Sequence, residues 1–336
     1  MVRIAILGAT GYTALESIKL LLRHPHAQIT LLTSRQEGKP HISATHPSLT
    51  GRLDLCLEDV GPDEVARRCE CAFLCLPHAA SAEAAKELLA RGIRVIDFSA
   101  DYRLNDAATY RKWYEHEHPD AERLGKTPYG LPELFGAEIP QAQLVANPGC
   151  YPTSAIIPLA PLLKAGLVEP DDIIVDSKSG VSGAGRTPKL NTHFPECNES
   201  ISAYSVGKHR HQPEIEQILG RATGQTVQVI FTPHLVPMDR GILTVCYAKP
   251  TRSLTEVDAM SCLREFYAGK PFIRVVNHLP GTKDTAHTNF VDVTARIVRG
   301  RVLLISAEDN MIKGAAGAAV QNFNLMFGFP ETTALL

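Results

Sequence analysis

The fold is predicted by one segment near the amino terminus, Arg3-Ile4-Ala5-Ile6-Leu7-Gly8-Ala9-Thr10-Gly11-Tyr12-Thr13-Ala14. An apolar run of strand length leads directly into two glycines, and residues 12–23 behind them have the spacing of an amphipathic helix. Glycines at such a turn let the backbone approach a pyrophosphate, which then lies at the helix N-terminus. The spacing is G-x-x-G-x-x-A, which departs from the usual dinucleotide fingerprint at Ala14. In its strand–turn–helix context, this segment favours a nucleotide site over a structural glycine turn.

The first hundred residues continue this alternation. Further strands are predicted over residues 28–33, 71–76 and 93–98, and a helix over residues 81–91 that Gly92 ends. Strands that alternate with helices of this length indicate βαβ units and a parallel sheet, and strands covered on both faces are expected to be nearly all apolar, as these are. The first domain is therefore predicted to be a doubly wound, Rossmann-like α/β domain.

The pattern changes near Asn147. Helices are predicted over residues 151–165 and 213–222, with a polar stretch over 178–204 and strands over 172–177, 227–235, 241–248, 289–298 and 302–306. The short turn Val298-Arg299-Gly300-Arg301 suggests antiparallel pairing. A second, α+β domain with a mostly antiparallel sheet is predicted over residues 148–310. A closing helix rich in Ala and Gly is predicted from near Asn310, and it is expected to pack against the first domain. Residues 1–147 and 311–336 are therefore assigned to the first domain.

Composition excludes several classes of protein. The chain has 336 residues, enough for two domains, and 34 Lys and Arg balance 36 Asp and Glu to a net charge of -2. Such a balance gives no general attraction to nucleic acid or to an anionic membrane, and no apolar run approaches the roughly 18 residues of a spanning helix. Eight cysteines without a regular framework indicate a reducing compartment, so a cytoplasmic protein is expected.

The end of the second predicted strand indicates which nucleotide is bound. An NAD site usually has an acidic residue there for the ribose 2′-hydroxyl, whereas this strand ends Thr33-Ser34-Arg35. A guanidinium suits a phosphate, so NADP is favoured. The alternative is an exposed arginine on a loop, with nearby Glu37 weakening the positive charge.

One cysteine has the context of a nucleophile. It lies in Asn147-Pro148-Gly149-Cys150-Tyr151-Pro152-Thr153, directly before a predicted helix. A helix N-terminus stabilises a thiolate and lowers the pKa of the thiol. Cys197, in the polar stretch, is the one serious rival. The others are interpreted as core residues or residues among apolar neighbours: Cys56, Cys69 (ending a helix), Cys71 and Cys75 (in a strand), Cys246 and Cys262.

A base for this thiol is expected among thirteen histidines. His209 and His211 lie in Lys208-His209-Arg210-His211-Gln212-Pro213-Glu214, where neighbouring cations favour neutral imidazole, which accepts a proton. Most other histidines are interpreted as surface residues, among them His24, His26, His116 and His118. No metal is expected, because His209 and His211 are too close for a helical ligand pair and no CxxC occurs.

Taken together, these residues resemble the N-acetyl-gamma-glutamyl-phosphate reductases, a family of the semialdehyde dehydrogenase superfamily. The resemblance covers nearly the whole chain, and Asn147-Pro148-Gly149-Cys150-Tyr151-Pro152-Thr153 is its most specific part. Ala14 departs from the glycine that the family generally has. The other matching segments are residues 8–13, 33–35, 97–103, 178–186, 209–211, 231–237 and 309–317.

The resemblance implies NADPH-dependent reduction of an acyl phosphate, with release of phosphate, through a thioester on Cys150, and with His211 moving protons. It also implies a homodimer or homotetramer. The cofactor-binding residues expected from the motifs and the resemblance are Gly8, Thr10, Gly11, Tyr12, Thr13, Ser34, Arg35, Leu76, Pro77, His78, Ser99, Ser179, Gly180, Ser182, Gly183, Asn310, Lys313 and Gly314.

Four residues are candidates for substrate binding. Arg103, Arg186 and Arg240 could grip a phosphate or carboxylate, or be exposed or salt-bridged, and Glu214 could orient His211, contact substrate or occupy a first helical turn. Two alternative functions stay open. One is the related lysine-pathway reductase, which acts on carrier-bound aminoadipyl phosphate, and the other is a non-catalytic NADP-binding sensor.

Overall fold

The computed structural model describes residues 1–336, and the chain divides into two compact units. The amino-terminal unit comprises Met1–Pro148 together with Ala315–Leu336, and the central unit comprises Gly149–Gly314. No helix has the length and apolar character that crossing a membrane requires.

The amino-terminal unit contains a six-stranded parallel sheet. Its elements up to residue 148 are β1 (Val2–Leu7), α1 (Tyr12–Leu21), β2 (Ala27–Thr33), α2 (Ile42–Thr45), β3 (Leu57–Glu58), α3 (Pro62–Arg68), β4 (Cys71–Leu74), α4 (Ala80–Leu89), β5 (Arg94–Asp97), α5 (Ala107–Tyr114), α6 (Pro132–Phe135) and β6 (Leu144–Ala146). The strand order β3-β2-β1-β4-β5-β6 is the doubly wound order, with its topological switch point between β1 and β4.

The central unit contains a seven-stranded mixed sheet. Its elements are α7 (Cys150–Lys164), β7 (Val168–Gly180), α8 (Phe194–Cys197), β8 (Ser202–Ala203), α9 (His211–Thr223), β9 (Val229–Val236), β10 (Ile242–Pro250), α10 (Glu256–Phe266), β11 (Ile273–Val275), α11 (Thr282–Thr285), β12 (Val291–Val298) and β13 (Arg301–Glu308). The order is β11-β12-β13-β10-β7-β9-β8, and only the β11–β12 and β7–β9 pairs are parallel. A π-helical turn, Ile312–Ala316, then leads into α12 (Gly317–Met326).

Helices cover both faces of the parallel sheet. On one face, Ala72 and Leu74 of β4 share a core with Val65 of α3 and Ala82 of α4. On the other face Phe73 meets Phe323 of α12, because successive strand residues point to opposite sides. The predicted doubly wound architecture is therefore confirmed, and α12 packs within the amino-terminal unit.

In α7, side-chain hydroxyls compensate for two internal prolines. Pro158 and Pro161 have no N–H to donate to Ser154 and Ile157, four residues earlier. The Ser306 hydroxyl instead donates to the Ser154 carbonyl at 2.6 Å, and the Tyr267 hydroxyl donates to the Ile157 carbonyl at 2.6 Å. The carbonyls freed by these two prolines are thus satisfied, which lets a proline-containing helix lie buried from Tyr151 to Leu163.

The predicted hairpin at residues 298–301 is confirmed. Val298 pairs with Arg301, and the two loop residues Arg299 and Gly300 have φ of 49° and 76°. Positive φ at both loop positions is typical of the tight turn whose twist matches the flanking strands.

Some predictions from the sequence were wrong. β4 ends at Leu74, so Cys75 lies beyond the strand, and β7 runs to Gly180 because it pairs with β9 and β10 along that length. Cys56 is exposed. His24 and His118 are buried, because each has a polar partner, Asn324 Oδ1 and the Asp101 carbonyl respectively, both at 2.8 Å.

Candidate functional site

The glycine turn after β1 lies at the switch point of the parallel sheet. Gly8 has φ of 79°, and a Cβ there would lie 2.4 Å from the Cys75 carbonyl oxygen at the end of β4. The Gly8 and Ala9 amides donate to the Thr33 carbonyl at 3.1 and 2.9 Å, which fixes the turn against β2. Only glycine fits this position, because the turn packs directly against the main chain at the end of β4 and has a positive φ.

A cavity of about 500 Å³ opens beside this turn. It is lined by Leu7, Gly8, Thr10, Thr33, Ser34, Arg35, Asp59, Val60, Pro62, Val65, Leu76, Pro77, Ala80, Glu83, Ala84, Glu87 and Leu88. The structure thus brings together six of the predicted cofactor residues: Gly8, Thr10, Ser34, Arg35, Leu76 and Pro77. Sequence reasoning missed the wall formed by Asp59, Glu83 and Glu87. Asp59 follows β3, whose two residues give no periodicity, and Glu83 and Glu87 lie on the predicted helix α4 without any motif that marks a binding site.

Arg35 is the positively charged residue that lines this cavity. Its side chain is exposed and makes no hydrogen bond or ion pair with the protein, in contrast to Arg68, which donates to Glu58 at 2.9 Å. Ser34 accepts a hydrogen bond from the Gln36 amide at 3.1 Å on its Oγ. An available guanidinium beside a hydroxyl suits a phosphate group.

The other predicted cofactor residues of this unit do not line the cavity: Gly11, Tyr12, Thr13, His78 and Ser99. Gly11 precedes α1, whose N-terminus has no side-chain cap and no acidic residue in its first turn. Tyr12 is exposed, and the Thr13 hydroxyl shares a hydrogen bond with the Cys75 thiol, whose pKa burial raises to about 12. Ser99 is buried and donates to Asp97 at 2.7 Å, so its side chain does not line the cavity.

A strained turn precedes α4. Ala79 has φ of 65° and ψ of -52°, and the Ala80 amide donates to the His78 carbonyl at 2.9 Å, which makes a γ-turn. Neighbouring His78 is partly exposed, and its Nδ1 accepts from the Ala100 amide at 3.2 Å. Such strain persists only where the surroundings enforce it.

Two buried carboxylates enforce this turn. Asp97 accepts from the Ser81 hydroxyl at 2.5 Å, and Asp101 accepts from the Ala82 amide at 3.0 Å, so both hold the first turn of α4. Burial, and secondly the nearby Asp101 charge, raise the pKa of Asp97 to about 6.

In the central unit, two helix N-termini are joined by one hydrogen bond. Cys150 is the first residue of α7, and His211 is the first residue of α9. The buried Glu214, in the first turn of α9, accepts from the Gly149 amide at 2.9 Å. Glu214 therefore holds the turn that carries Cys150 against the helix that carries His211, and carboxylate and thiol both lie where helix dipoles favour negative charge.

Aromatic rings surround this junction. Tyr151 contacts His209, His211 and Phe231 edge-on, with centroid separations of 5.5, 5.9 and 5.4 Å. Tyr204 donates to the Tyr151 hydroxyl at 3.2 Å, and Tyr151 donates to the His234 carbonyl at 3.0 Å. Burial, as the largest cause, raises the pKa of both tyrosines, so they stay protonated near neutral pH.

The π-helical turn is fitted closely against Cys150. A Cβ at Gly314 would lie 2.7 Å from Cys150 Cβ, and the buried Asp309 accepts from the Met311 and Ile312 amides at 2.8 and 3.0 Å. Lys313 is fully buried, with its ammonium 5.8 Å from the centroid of the Phe272 ring. Gly314 thus leaves space for the thiol-bearing residue.

The loop after β7 is tied together by small polar residues. Asn310 accepts from the Gly241 amide at 2.7 Å and donates to the Ser182 hydroxyl at 3.0 Å. A Cβ at Gly180 would lie 2.5 Å from the Asp239 carbonyl oxygen, and one at Gly183 would lie 3.0 Å from Ser179 Oγ. These predicted cofactor residues therefore form one cluster inside the central unit.

The three candidate arginines lie in different settings. Arg103 is buried in the amino-terminal unit and donates to the carbonyls of Asn147 at 2.7 Å and Phe98 at 2.8 Å. Arg240, in the central unit, has Nη1 3.6 Å from Asp309 Oδ2, while Arg186 is exposed. Arg103 therefore braces the main chain that leads toward Cys150.

The chemistry of the two regions is distinct. The amino-terminal unit offers a glycine turn, a capless helix N-terminus and a cation beside a cavity, a set suited to a dinucleotide. The central unit offers a thiol at a helix N-terminus near imidazoles, a set suited to covalent acyl transfer.

Comparison with known proteins agrees with this division. Residues 3–142 match the family model described as semialdehyde dehydrogenase, NAD binding domain, and residues 150–310 match semialdehyde dehydrogenase, dimerisation domain. Two solved structures share the fold at 17% identity, covering 97% of this chain and 98% of theirs. They are aspartate semialdehyde dehydrogenase II of Vibrio cholerae, with a TM-score of 0.73, and the NADP complex of the Candida albicans enzyme, with a TM-score of 0.70.

Curated relatives are much more similar in sequence. A protein of Rhodopirellula baltica is 56% identical over 99% of this chain and 98% of its own length, and one of Citrifermentans bemidjiense is 48% identical over 100% and 98%. Both are named N-acetyl-gamma-glutamyl-phosphate reductase. With matches of this extent, the chain belongs to the N-acetyl-gamma-glutamyl-phosphate reductase family of semialdehyde dehydrogenases.

Proposed function

We propose that this protein reduces N-acetyl-L-glutamyl 5-phosphate to N-acetyl-L-glutamate 5-semialdehyde with release of phosphate, as a step of arginine biosynthesis. The observation that carries the proposal is the Glu214–Gly149 hydrogen bond, which holds the start of α7 with Cys150 against the start of α9 with His211. The names of full-length relatives at 46–56% identity support this substrate.

In the first half of the reaction, Cys150 is the nucleophile. Its thiolate attacks the acyl carbon, the bond from that carbon to the phosphate oxygen breaks, and phosphate leaves with the electron pair. The product is a thioester on Cys150. His211 takes the thiol proton before the attack, and the cost of losing this base is about 10²- to 10⁴-fold in rate.

In the second half, the thioester is reduced. Bound NADPH supplies the hydride that the acyl carbon requires. His211 donates a proton to the acyl oxygen while it carries negative charge. As the carbonyl re-forms, His211 takes this proton back and the carbon–sulfur bond breaks with its electron pair on sulfur. His211 then passes the proton to the Cys150 thiolate, which regenerates the thiol for the next turnover.

NADP rather than NAD is proposed as the cofactor. The cavity beside Gly8 suits a dinucleotide, because it opens at the switch point of the parallel sheet and the N-terminus of α1 has no side-chain cap. Arg35 and Ser34 line the same cavity and would hold a 2′-phosphate. No acidic residue lies at the end of β2, where an NAD site usually has one, and Asp59 of the cavity wall follows β3 instead. The Candida albicans relative of the same fold was determined with NADP.

A homodimer or homotetramer is proposed through the central unit. One face of the mixed sheet packs against the buried residues of α7. The opposite face carries a row of apolar residues: Ile174, Ile230, Leu243, Val245, Tyr247, Leu303 and Ile305. Ile230 is 66% exposed and Ile174 is 39% exposed, which is costly for a face left in water. The dimerisation model that matches residues 150–310 supports this assignment, and sedimentation equilibrium would measure the mass of the assembly.

One assay separates the candidate functions. The enzyme is expected to reduce NADP⁺ in the presence of N-acetylglutamate semialdehyde and phosphate, and not without phosphate. Preference for the carrier-bound aminoadipate semialdehyde would instead establish the lysine-pathway reaction. NADP binding without turnover of either aldehyde would establish a sensor and contradict the proposal.

A further inference from the structure

His46 lies behind the glycine turn of the amino-terminal unit. The residue is 4% exposed, and its Nε2 lies 2.9 Å from the Ala9 carbonyl oxygen. A carbonyl oxygen only accepts hydrogen bonds, so Nε2 carries a proton and is the donor. Ala9 lies between Gly8 and Thr10 in the chain and is itself buried. A histidine from a separate segment thus contacts the main chain of the turn where the nucleotide is proposed to bind.

The segment that carries His46 is the connection between β2 and β3, residues 34–56. A connection of this length between neighbouring strands of a compact domain usually has a functional role. It is fixed by its own main chain, because the Ile42 amide donates to the Leu55 carbonyl at 2.9 Å and the His46 amide donates to the Ile42 carbonyl at 2.8 Å. The Leu49 amide donates to the His46 carbonyl at 2.9 Å. The backbone of His46 is therefore held on both sides.

The hydrogen bond from His46 orients a whole peptide group. The peptide between Ala9 and Thr10 is planar and trans, so the Ala9 C=O and the Thr10 N–H point in opposite directions. Because the C=O points at the buried His46 ring, the Thr10 N–H points to the other side of the turn, and Thr10 lines the cavity. The Ala9 amide donates separately to the Thr33 carbonyl at 2.9 Å. Loss of the His46 contact would therefore free the Ala9–Thr10 peptide while the peptide before it stays fixed.

We propose that His46 is a positioning residue for NADP binding, whose Nε2–H holds the Ala9–Thr10 peptide in the orientation that receives the pyrophosphate. The inference rests on the proposed binding of NADP at this turn. A pyrophosphate at a helix N-terminus is bound by main-chain N–H groups, so its affinity depends on the direction in which each N–H points. His46 lies on the opposite side of the peptide and acts through the main chain without touching the nucleotide.

Two amide side chains test the contact itself. In His46→Gln the amide nitrogen lies near the former Nε2, so the hydrogen bond to the Ala9 carbonyl is kept. In His46→Asn the side chain is one methylene shorter and does not reach, so a buried carbonyl loses its donor. His41→Asn is the matched control, because His41 lies in the same segment but its ring contacts Ser43 and Asp54 and not the turn.

Two ligands separate the turn from the rest of the site. NADPH contains the pyrophosphate, whereas adenosine 2′-monophosphate contains the 2′-phosphate and no pyrophosphate. His46→Asn is expected to bind NADPH roughly tenfold more weakly and to bind adenosine 2′-monophosphate as the wild type does. His46→Gln and His41→Asn are expected to bind both ligands as the wild type does. Isothermal titration calorimetry measures all of these affinities without turnover.

A purely structural histidine predicts a different pattern, because a loosened fold weakens the binding of both ligands together. His46→Asn with the NADPH affinity of the wild type, or with equal losses for the two ligands, would overturn the inference. If the Asn variant does not fold, the Gln variant decides, and a folded Gln variant with about tenfold weaker NADPH binding would also overturn it. A wild-type enzyme that binds NADPH but does not reduce the acyl phosphate would contradict the proposed function and leave the comparison of affinities valid.

Discussion

The proposed sites of the two units are built from different parts of the chain. In the amino-terminal unit, the turn at Gly8 and the capless start of α1 form the proposed site with main-chain atoms. In the central unit, Cys150, His211 and Glu214 form it with side chains from separate helices. A backbone-built site depends on the absence of a Cβ, whereas a side-chain site depends on how helices are held together.

This difference predicts separable failures. A substitution in the glycine turn is expected to lower nucleotide affinity and to leave the reactivity of the Cys150 thiol intact. A substitution near Cys150 is expected to lower the reactivity of the thiol and to leave nucleotide binding intact. Two glycines, one in each unit, allow the same chemical change to be made in both regions.

Gly8→Ala is expected to have the largest effect on nucleotide binding. The new Cβ meets the Cys75 carbonyl oxygen at 2.4 Å in a backbone with φ of 79°. Strain of about 3 kcal/mol corresponds to roughly 100-fold weaker NADPH binding. NADPH fluorescence titration measures this loss, and alkylation of Cys150 by iodoacetamide is expected to keep its rate.

Gly61→Ala is the matched control for that change. Gly61 has no atom within 4 Å of a new Cβ and lies in the same unit, so binding is expected to stay at the wild-type level. Equal NADPH affinity for Gly8→Ala and Gly61→Ala would contradict the placement of the nucleotide at this turn.

Gly314→Ala is the corresponding change in the central unit. Its Cβ would lie 2.7 Å from Cys150 Cβ, so the thiol must move. A displacement near 1 Å lowers kcat by about 100-fold. Gly314 is among the residues expected from the sequence to bind cofactor, but its close neighbour is Cys150, so NADPH affinity is expected to be unchanged. A variant that loses affinity but keeps kcat would reverse the assignment of the two regions.

Arg35→Ala is expected to act on one nucleotide and not the other. Removing a charge-assisted contact to the 2′-phosphate costs about 1.5 kcal/mol, which is roughly tenfold in NADPH affinity, and NADH binding is expected to be unchanged. Arg52, another exposed arginine of the same unit, gives the control Arg52→Ala. Equal losses for NADPH and NADH with Arg35→Ala would exclude a role in phosphate recognition.

Ala79→Gly has the smallest expected effect, and it raises stability. Glycine removes the strain of φ at 65°, so the free energy of unfolding is expected to rise by about 1 kcal/mol after the entropy of glycine is deducted. Ala90→Gly, at an ordinary helical position that ends the same helix, is expected to lower it by about 0.5–1 kcal/mol. Urea unfolding compares the two, and a loss of stability in Ala79→Gly would show that the turn is not strained.

The features that could be predicted from the sequence differ from those that could not in how far apart along the chain their residues lie. The Gly8 turn, the place of Cys150 at a helix N-terminus and the Arg299-Gly300 hairpin were predictable, because each depends on residues adjacent in the chain. The Glu214–Gly149 hydrogen bond joins residues 65 apart, and the hydroxyls that satisfy the prolines of α7 come from Ser306 and Tyr267. Nothing local in the sequence marks such pairings. Ala79 was missed because alanine rarely adopts positive φ, so the sequence there gave no turn signal.

The proposed reaction requires that Cys150 carry the acyl group. The most direct measurement incubates the enzyme with N-acetylglutamyl 5-phosphate in the absence of NADPH, quenches with acid and identifies the modified peptide by mass spectrometry, with Cys150→Ser as the control. We expect one N-acetylglutamyl group on the peptide that contains Cys150, one equivalent of phosphate released, and no adduct in Cys150→Ser. Acylation of another residue, such as Cys197, or turnover by Cys150→Ser at the wild-type rate, would contradict the account.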